Sequence, residues 1–466
     1  MTSDSNAFLG TQPMGRLMRK FAVPCVVSLL FGALYNIVDQ IFIANADYLG
    51  SYGNASNSVV FPLSVIALAL ATMLGDGCCA LVSLSLGAGH RDDARRSVGT
   101  AVVTLVLVSL VLTAVYLIWP EQILTMFGAR VNAETFRLSR EYFFYIALGV
   151  PFYIVGQALN PIIRSDGSPR FAMLTLLAGA LTNCALDPLF IYGFHWGMMG
   201  AAVATVAGQI VSAAMAVGYL FRMKAVKLDR DAFKPRVKLL SRILPLGVTS
   251  FLSQISIVLS MAAVLNMAAK YGSLDPIFGM EEYAQIPAAV IGIVMKFFQI
   301  VVSISIGMAA GCIPLIGYNM GAGKPERVHE LLVRLTVAEL IVGIIATLIC
   351  ELFPYPLIAI FGAANESVHY TNFAVRCIRL FMALTPLACI NKSTFIFLQA
   401  MGKPVQSTLL SMLREVAFGV GLPLLLPLFW GLDGLIWFMT AADILTLPVT
   451  IAAILSIRRQ LKALPA

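Results

Sequence analysis

The stretch Arg222-Met223-Lys224-Ala225-Val226-Lys227-Leu228-Asp229-Arg230-Asp231-Ala232-Phe233-Lys234-Pro235-Arg236-Val237-Lys238-Leu239-Leu240-Ser241-Arg242 sets eight Lys and Arg residues between two long apolar regions. A membrane span needs roughly 20 mainly apolar residues, because the hydrocarbon core is about 30 Å thick. Runs of that length precede the basic stretch near 17–43, 54–86, 98–119, 140–163, 170–193 and 198–221. They follow it near 240–268, 284–318, 331–354, 373–399, 405–430 and 433–457, the second of these long enough to be tilted or interrupted. The reading is an all-α integral membrane protein of about twelve transmembrane helices. Composition agrees: 59% of the residues are hydrophobic and 12% charged, where a soluble domain carries about 25% charge. The first run holds charge as late as Asp39 and lacks a small-residue cleavage site, so it reads as a retained helix rather than a signal peptide.

The formal charge of +8 is distributed unevenly. Both ends of the chain and the even-numbered loops hold 23 Lys and Arg residues, and the odd-numbered loops hold only Arg130, Arg137, Arg140 and Lys270. Cytoplasmic loops carry the Lys and Arg excess, so both termini and the basic stretch are expected on the cytoplasmic side of the cell membrane. The same asymmetry explains the basic balance without a nucleic-acid partner.

An internal repeat extends the argument. Gly87-Ala88-Gly89 recurs as Gly321-Ala322-Gly323, Phe127-Gly128-Ala129 as Phe361-Gly362-Ala363, and Trp196-Gly197 with Gly200 as Trp430-Gly431 with Gly434, all at an offset of 234. Gly167 and Pro169 match Gly402 and Pro404 at 235. The expected organisation is an N-terminal six-helix lobe (1–221), a basic cytoplasmic linker (222–239) and a C-terminal six-helix lobe (240–466). Each half begins and ends on the same side, so the lobes are expected to relate by a pseudo-two-fold axis along the membrane normal, as in alternating-access transporters.

Ionisable residues inside spans are the functional candidates, since charge in hydrocarbon is costly. Asp39, late in span 1, and Asp187, in span 5, fall at similar depth, roughly 25–30 Å along their helices from the basic ends. Asn183 is one turn from Asp187 on the same face, and Thr205 in span 6 falls at a similar depth. Two carboxylates, an amide and a hydroxyl suit a proton carrier, or a hard cation such as sodium held transiently. The competing reading is packing by interhelical hydrogen bonds. The repeat weighs against it, because Asp187 maps onto Leu422 and Asp39 onto Ser260, so the architecture does not demand the acids. Asp76, in Gly75-Asp76-Gly77, is weighed evenly between lining the cavity and binding backbone. Lys296, Arg376 and Arg379 fit snorkelling chains better than sites; Lys392 is the exception and a candidate substrate contact. Gln157, Asn160 and Gln254 serve as interhelical glue as readily as substrate contacts. Pro24 is a mechanical candidate, since proline weakens a helix.

Other chemistry is absent from the sequence. There is no G-x-x-x-x-G-K-[ST] loop for ATP, no H-E-x-x-H and no G-x-S-x-G. The eight cysteines lie in apolar stretches without a C-x-x-C pair, so neither a structural metal nor a disulfide framework is expected. None of the four histidines lies in the middle of a span, which leaves a membrane enzyme without an evident base.

The run Leu34-Tyr35-Asn36-Ile37-Val38-Asp39-Gln40-Ile41-Phe42-Ile43, the Phe61-Pro62-Leu63 start of span 2 and the Gly-Ala-Gly loops resemble the multidrug and toxic compound extrusion family. So do Arg164-Ser165-Asp166-Gly167 and Leu398-Gln399-Ala400-Met401-Gly402-Lys403-Pro404. The resemblance covers about residues 15–457 and is nearest the bacterial DinF-like or MepA-like branch, because the acids are in the N-terminal half. It implies a V-shaped pair of lobes that exports small, mostly cationic, amphipathic compounds by proton or sodium antiport. The protein would sit as a monomer among membrane lipid and need no bound cofactor. Residue by residue, the branch's cation-coupling cluster falls on Asp39, Asn183, Asp187 and Thr205, and its helix-bending proline on Pro24. Tyr35 and Asn36, in the same run, are then candidates to line the substrate cavity. Other branches place acids in spans 7 and 10; here neither has one in its core, and Lys392 occupies span 10. The alternative is a flippase for a lipid-linked or polyisoprenoid precursor, which wants cations along its cavity; Lys392 alone speaks for it.

Overall fold

The computed structural model describes residues 6–46, 48–127, 129–130, 133–280, 283–359 and 367–463. Gly128 and Phe361-Gly362-Ala363, part of one repeat set, and both extreme termini lie outside the described residues. In hydrocarbon the backbone must satisfy its own N–H and C=O groups, and the apolar runs do so as helices. In the first half these are α1 (Met14–Ala44), α2 (Gly50–Gly87), α3 (Arg91–Ile118), the short α4 (Pro120–Met126), α5 (Ala133–Ser165), α6 (Pro169–Pro188) and α7 (Gly197–Leu220). The second half holds α8 (Val237–Gly272), α9 (Ile286–Gly321), α10 (Pro325–Leu352), α11 (Pro354–Ala359), α12 (Val368–Met382) and α13 (Thr385–Ala400). It closes with α14 (Pro404–Ser411), α15 (Gly421–Leu425) and α16 (Pro427–Ala463).

Among the described residues, eleven helical stretches are long and apolar enough to cross a membrane, or twelve if α12 and α13, bent by 42°, form one span. The bend falls where Thr385 precedes Pro386, a pairing that disfavours helix at the first residue and starts one at the second. The long run at 284–318 is a single helix, α9, which passes Pro314 without a break.

The chain packs as two compact units. The first is Met1–Gln254 with Ala310–Lys324 and Gln399–Pro404; the second is Ile255–Ala309, Pro325–Leu398 and Val405–Ala466. In the first, repeat-related glycines make reciprocal contacts. A methyl on Gly87 would strike the Tyr318 carbonyl, and one on Gly321 the Leu84 carbonyl. Leu84 and Tyr318 are themselves 234 apart, so the crossing of α2 and α9 reads the same from either side. Likewise a methyl on Gly77 would strike the Ile243 carbonyl of α8, and one on Gly311 would lie 2.8 Å from Cα of Ala22 in α1. A local two-fold relation therefore runs through this part of the unit.

The repeat also has a backbone cause. Every positive-φ glycine among the described residues belongs to a pair: Gly89 (79°) with Gly323 (65°), Gly167 (84°) with Gly402 (78°), and Gly197 (58°) with Gly431 (55°). Each stands at a turn or break between helices, where only glycine enters the left-handed region without strain.

Two segments are pinned to the first unit. Asn6 donates to the Ser165 carbonyl at 3.0 Å, while Asn319 donates to Leu9 at 3.1 Å and Lys324 to Gly10 at 2.8 Å, which staples the N-terminal turn to the ends of α5 and α9. The basic linker packs through Ala232 against Gly99 of α3, and Asp229 and Asp231 pair with Arg95 and Arg96. Asp166 accepts from Tyr219 Oη (2.7 Å) and from the backbone N–H groups of Lys224 and Ala225 (2.8 Å each). Burial nevertheless pushes its carboxyl above the usual range. In the second unit the apolar core centres on Phe298, Phe381 and Phe438, whose rings meet edge to face at 6.1 and 5.3 Å.

Candidate functional site

Helices α6 and α7 meet through glycine: a methyl on Gly179 would lie 2.7 Å from the Gly208 carbonyl oxygen, and one on Gly208 would strike the Gly179 carbonyl. This close approach brings Asn183 of α6 against Thr205 of α7. The Asn183 amide donates to Asp187 Oδ1 at 3.2 Å, one turn along its own helix, and contacts Thr205 Oγ1 at 3.3 Å. Asp187 and Asn183 are 0% and 2% exposed. Asp39 of α1, 6% exposed, sets its carboxyl beside that of Asp187, within hydrogen-bonding reach. One oxygen each of Asp39, Asp187 and Asn183 meets no hydrogen-bond partner among the described residues. The four residues expected to act together are thus together, with three buried oxygens left without a hydrogen-bond partner among the described residues.

Aromatic rings surround this cluster. Tyr35 and Tyr142 lie within electrostatic reach of both carboxyls, and Tyr153 within reach of Tyr35. Tyr153 also lines a small cavity with Tyr116 and Gln209. Beyond Asp187 the helix cannot continue unchanged, because Pro188 has no N–H to donate. The chain instead makes a π-helical turn over Leu189–Gly193, a departure that recurs at functional sites. Phe190, Phe194 and Trp196 then stack on one another, Tyr48 Oη donates to the Ile191 carbonyl (2.7 Å), and Tyr192 Oη donates to Phe42 of α1 (2.7 Å). An aromatic knot thereby ties α1 to the end of α6 just past the acids.

The remaining candidates fall elsewhere. Pro24 is buried in an unbroken α1, with Ser28 donating to its carbonyl at 2.8 Å. Asn36 is exposed and donates to Gly32 of its own helix at 2.7 Å. Asp76 belongs to a separate group: it accepts from Ser250 at 2.8 Å and lies 3.7 Å from Arg164, which also contacts Cys25. Asn160 donates to Ala172 at 2.6 Å, across the turn between α5 and α6, while Gln157 and Gln254 are half-buried. Lys392 is buried and ion-paired with Glu415 at 2.5 Å.

That last contact opens a network in the second unit that the sequence reading missed. Glu415 also accepts from Ser256 (2.8 Å); its neighbour Arg414 pairs with Asp443 (3.0 Å); Asp443 accepts from Asn391 (3.3 Å), which in turn accepts from Thr450 (2.7 Å). Lys392, Arg414, Glu415 and Asp443 are each under 5% exposed, and their charges cancel. At an offset of 235, Arg414 and Asp443 occupy the places of Gly179 and Gly208, so an ion pair fills the gap that glycines close in the first half. Glu339, in mid-α10, is a further buried acid, 0% exposed. The available signal was simple: each of these acids lies inside an apolar run.

Apolar helices of this number and length, with two carboxyls buried side by side between them, are those of a multi-pass membrane protein. A family model described as MatE matches residues 24–189 and 277–424. The chain belongs to that family. It is 25% identical over 449 residues to the multidrug export protein MepA of Staphylococcus aureus (strain MSSA476), covering 95% of this chain and 94% of that one. Among solved structures it resembles a MATE protein crystallised in complex with MaL6, at a TM-score of 0.88, 22% identity and 99% coverage of both chains. It also resembles the outward-facing conformation of a multidrug resistance MATE family transporter, at 0.88, 21% identity and the same coverage.

Proposed function

We propose that this protein is a secondary active multidrug exporter of the cell membrane, driven by proton or sodium antiport through Asp39 and Asp187. The carrying observation is the adjacency of the two buried carboxyls, each with an unpartnered oxygen. Two carboxylates cannot both stay ionised and bare in a dry site, so the pair must hold a proton, a sodium ion or a cationic substrate. Competition between coupling ion and cationic drug for one negative site is antiport in its simplest form. Asn183 and Thr205 orient the pair, and Tyr35, Tyr142 and Tyr153 offer ring faces to an amphipathic cation. No other cofactor enters this scheme.

Occupancy of the pair acts on α1, which carries Asp39 at one end and Pro24 toward the other. Pro24 leaves the Lys20 carbonyl without its helical donor, so bending there costs less than elsewhere. Alternating access would then operate between lobes 1–221 and 240–466, joined by the linker 222–239, in a monomer with both termini cytoplasmic. The named relative is a multidrug export protein, which supports small-molecule cargo. Lys392, the residue that speaks for a flippase, is already engaged by Glu415, which favours export.

The test is drug efflux from proteoliposomes with pH and sodium gradients imposed separately. One gradient should drive efflux by the wild type. Asp39→Asn and Asp187→Asn should fold normally, since an amide replaces most hydrogen bonds of a protonated acid, and should lose gradient-driven efflux together with much of their binding of cationic drug. Wild-type pumping by both variants would assign the acids to packing.

A further inference from the structure

Glu339 lies about 21 Å along α10 from Pro325, near the middle of its span. It is 0% exposed, and neither carboxyl oxygen has a hydrogen-bond partner among the described residues. A carboxylate stripped of water and left without a cation is among the most costly groups a span can contain. The repeat places Leu105 at this position in the first half, itself buried, so the six-helix architecture is content with a hydrocarbon side chain there. The acid is an addition that packing does not require.

Its surroundings are specific. The Ser305 hydroxyl of α9 lies beside the carboxyl, and Cys389 of α13 is within electrostatic reach. A methyl on Gly343, one turn along α10, would strike Cα of Pro386 in α13, so the two backbones pass close together beside the acid. The charged groups on the packed elements are committed elsewhere. On α12, Arg376 pairs with Asp433 (3.0 Å) and Arg379 with Glu351 (3.5 Å), and His369 packs on Tyr283; Cys377 and Tyr370 of the same helix are buried. On α13, Lys392 pairs with Glu415, and on α16, Asp443 with Arg414. On α9, Lys296 stands roughly 13 Å along the helix from Ser305.

We propose that Glu339 is a second proton-binding site of the transport cycle, in the C-terminal half and independent of the Asp39–Asp187 pair. It rests on the ion-coupled reading above and extends it. The proton sits on the carboxyl in the buried state. It leaves to water, as a hydrated proton and a carboxylate, when solvent reaches α10. Sodium fits poorly, since a hard cation wants about six oxygens and the carboxyl has only the Ser305 hydroxyl beside it.

Infrared spectroscopy of the purified full-length protein reads protonated carboxyls directly. The double variant Asp39→Asn with Asp187→Asn should keep a protonated-carboxyl C=O stretch that fades as pH is raised. Glu339→Gln should lose that component in an otherwise wild-type background, and its drug efflux should show an altered pH dependence. If Glu339→Gln does not fold, the double variant alone decides: no titrating carboxyl band in it overturns the site. A band that persists unchanged from mildly acid to strongly alkaline pH, or a Glu339→Gln protein with a wild-type pH profile, makes Glu339 a packing acid and overturns the proposal. A band displaced by sodium at fixed pH overturns the choice of ion. Failure of Asp39→Asn and Asp187→Asn to affect efflux would sink the antiport site and leave this spectrum unchanged, so the two ideas fail separately.

Discussion

Arg414 and Asp443 show how differently an ion pair and a glycine pair hold two helices. Glycines need nothing from each other beyond proximity; the ion pair needs both members. Asp443→Asn should remove the nearer of Arg414's two carboxylate partners, leaving Glu415 at 3.9 Å, and destabilise the protein by about 3 kcal/mol, while Arg414→Met with Asp443→Leu should cost less. Thermal melts of the purified variants in one detergent check this, and equal losses in single and double variants would contradict it. The same residues mark what sequence reading left out. Asp39 and Asp187 were legible as acids in apolar runs, and Glu339 and Asp443 carried the same signal unread. Glu415 follows Arg414 directly, and a pair of adjacent opposite charges resembles a loop edge more than a span interior. That their nearest partners are Lys392 and Asp443 is a fact of helix packing. No linear pattern contains it. Tyr142 and Tyr153 were hidden for the opposite reason, as ordinary aromatics among many.

Among the elements, the linker gives the clearest pH dependence. Asp231 is held below the usual carboxylate range chiefly by its hydrogen bond from Lys234, with Arg96 and Arg236 adding to the effect. A folded-state value depressed below the unfolded one contributes stability above the unfolded value, and that contribution disappears as pH falls through the depressed one. Backbone hydrogen exchange over residues 229–236 should therefore be slow at neutral pH. In acid its protection relative to the slower intrinsic rate should fall, and Asp231→Asn should abolish that change in protection. Identical exchange in the two proteins would show that Ala232 packed on Gly99 pins the linker unaided. Helix count was readable from apolar length alone, because span length is set by the bilayer and not by neighbours. The α12–α13 bend was not, although Pro386 marked its place, because a proline in a span either kinks a helix or passes through it, as Pro314 does in α9.

For the molecule as a whole, the basic asymmetry makes an orientation testable. Single cysteines placed in 222–239 should resist an impermeant thiol reagent added outside intact cells and react once the cells are opened. Labelling from outside would invert the topology. The resident cysteines offer little background, since seven of the eight are buried and Cys184 is partly so.

The reciprocal crossings of α2 with α9, and of Gly77 with α8 and Gly311 with α1, have a historical consequence. A contact in which residue i of one repeat meets residue j of the other, and j meets i, is what a self-complementary surface makes when two copies of one chain dimerise. Before the halves were fused, a six-helix ancestor with these glycines would have assembled as a homodimer through this surface. Its two copies were then bound to be identical. Fusion removed that constraint, and each half has since taken its own acids: Asp39 and Asp187 stand opposite Ser260 and Leu422, and Glu339 and Asp443 opposite Leu105 and Gly208. Symmetry survives where α2 crosses α9 and is lost at the buried acids.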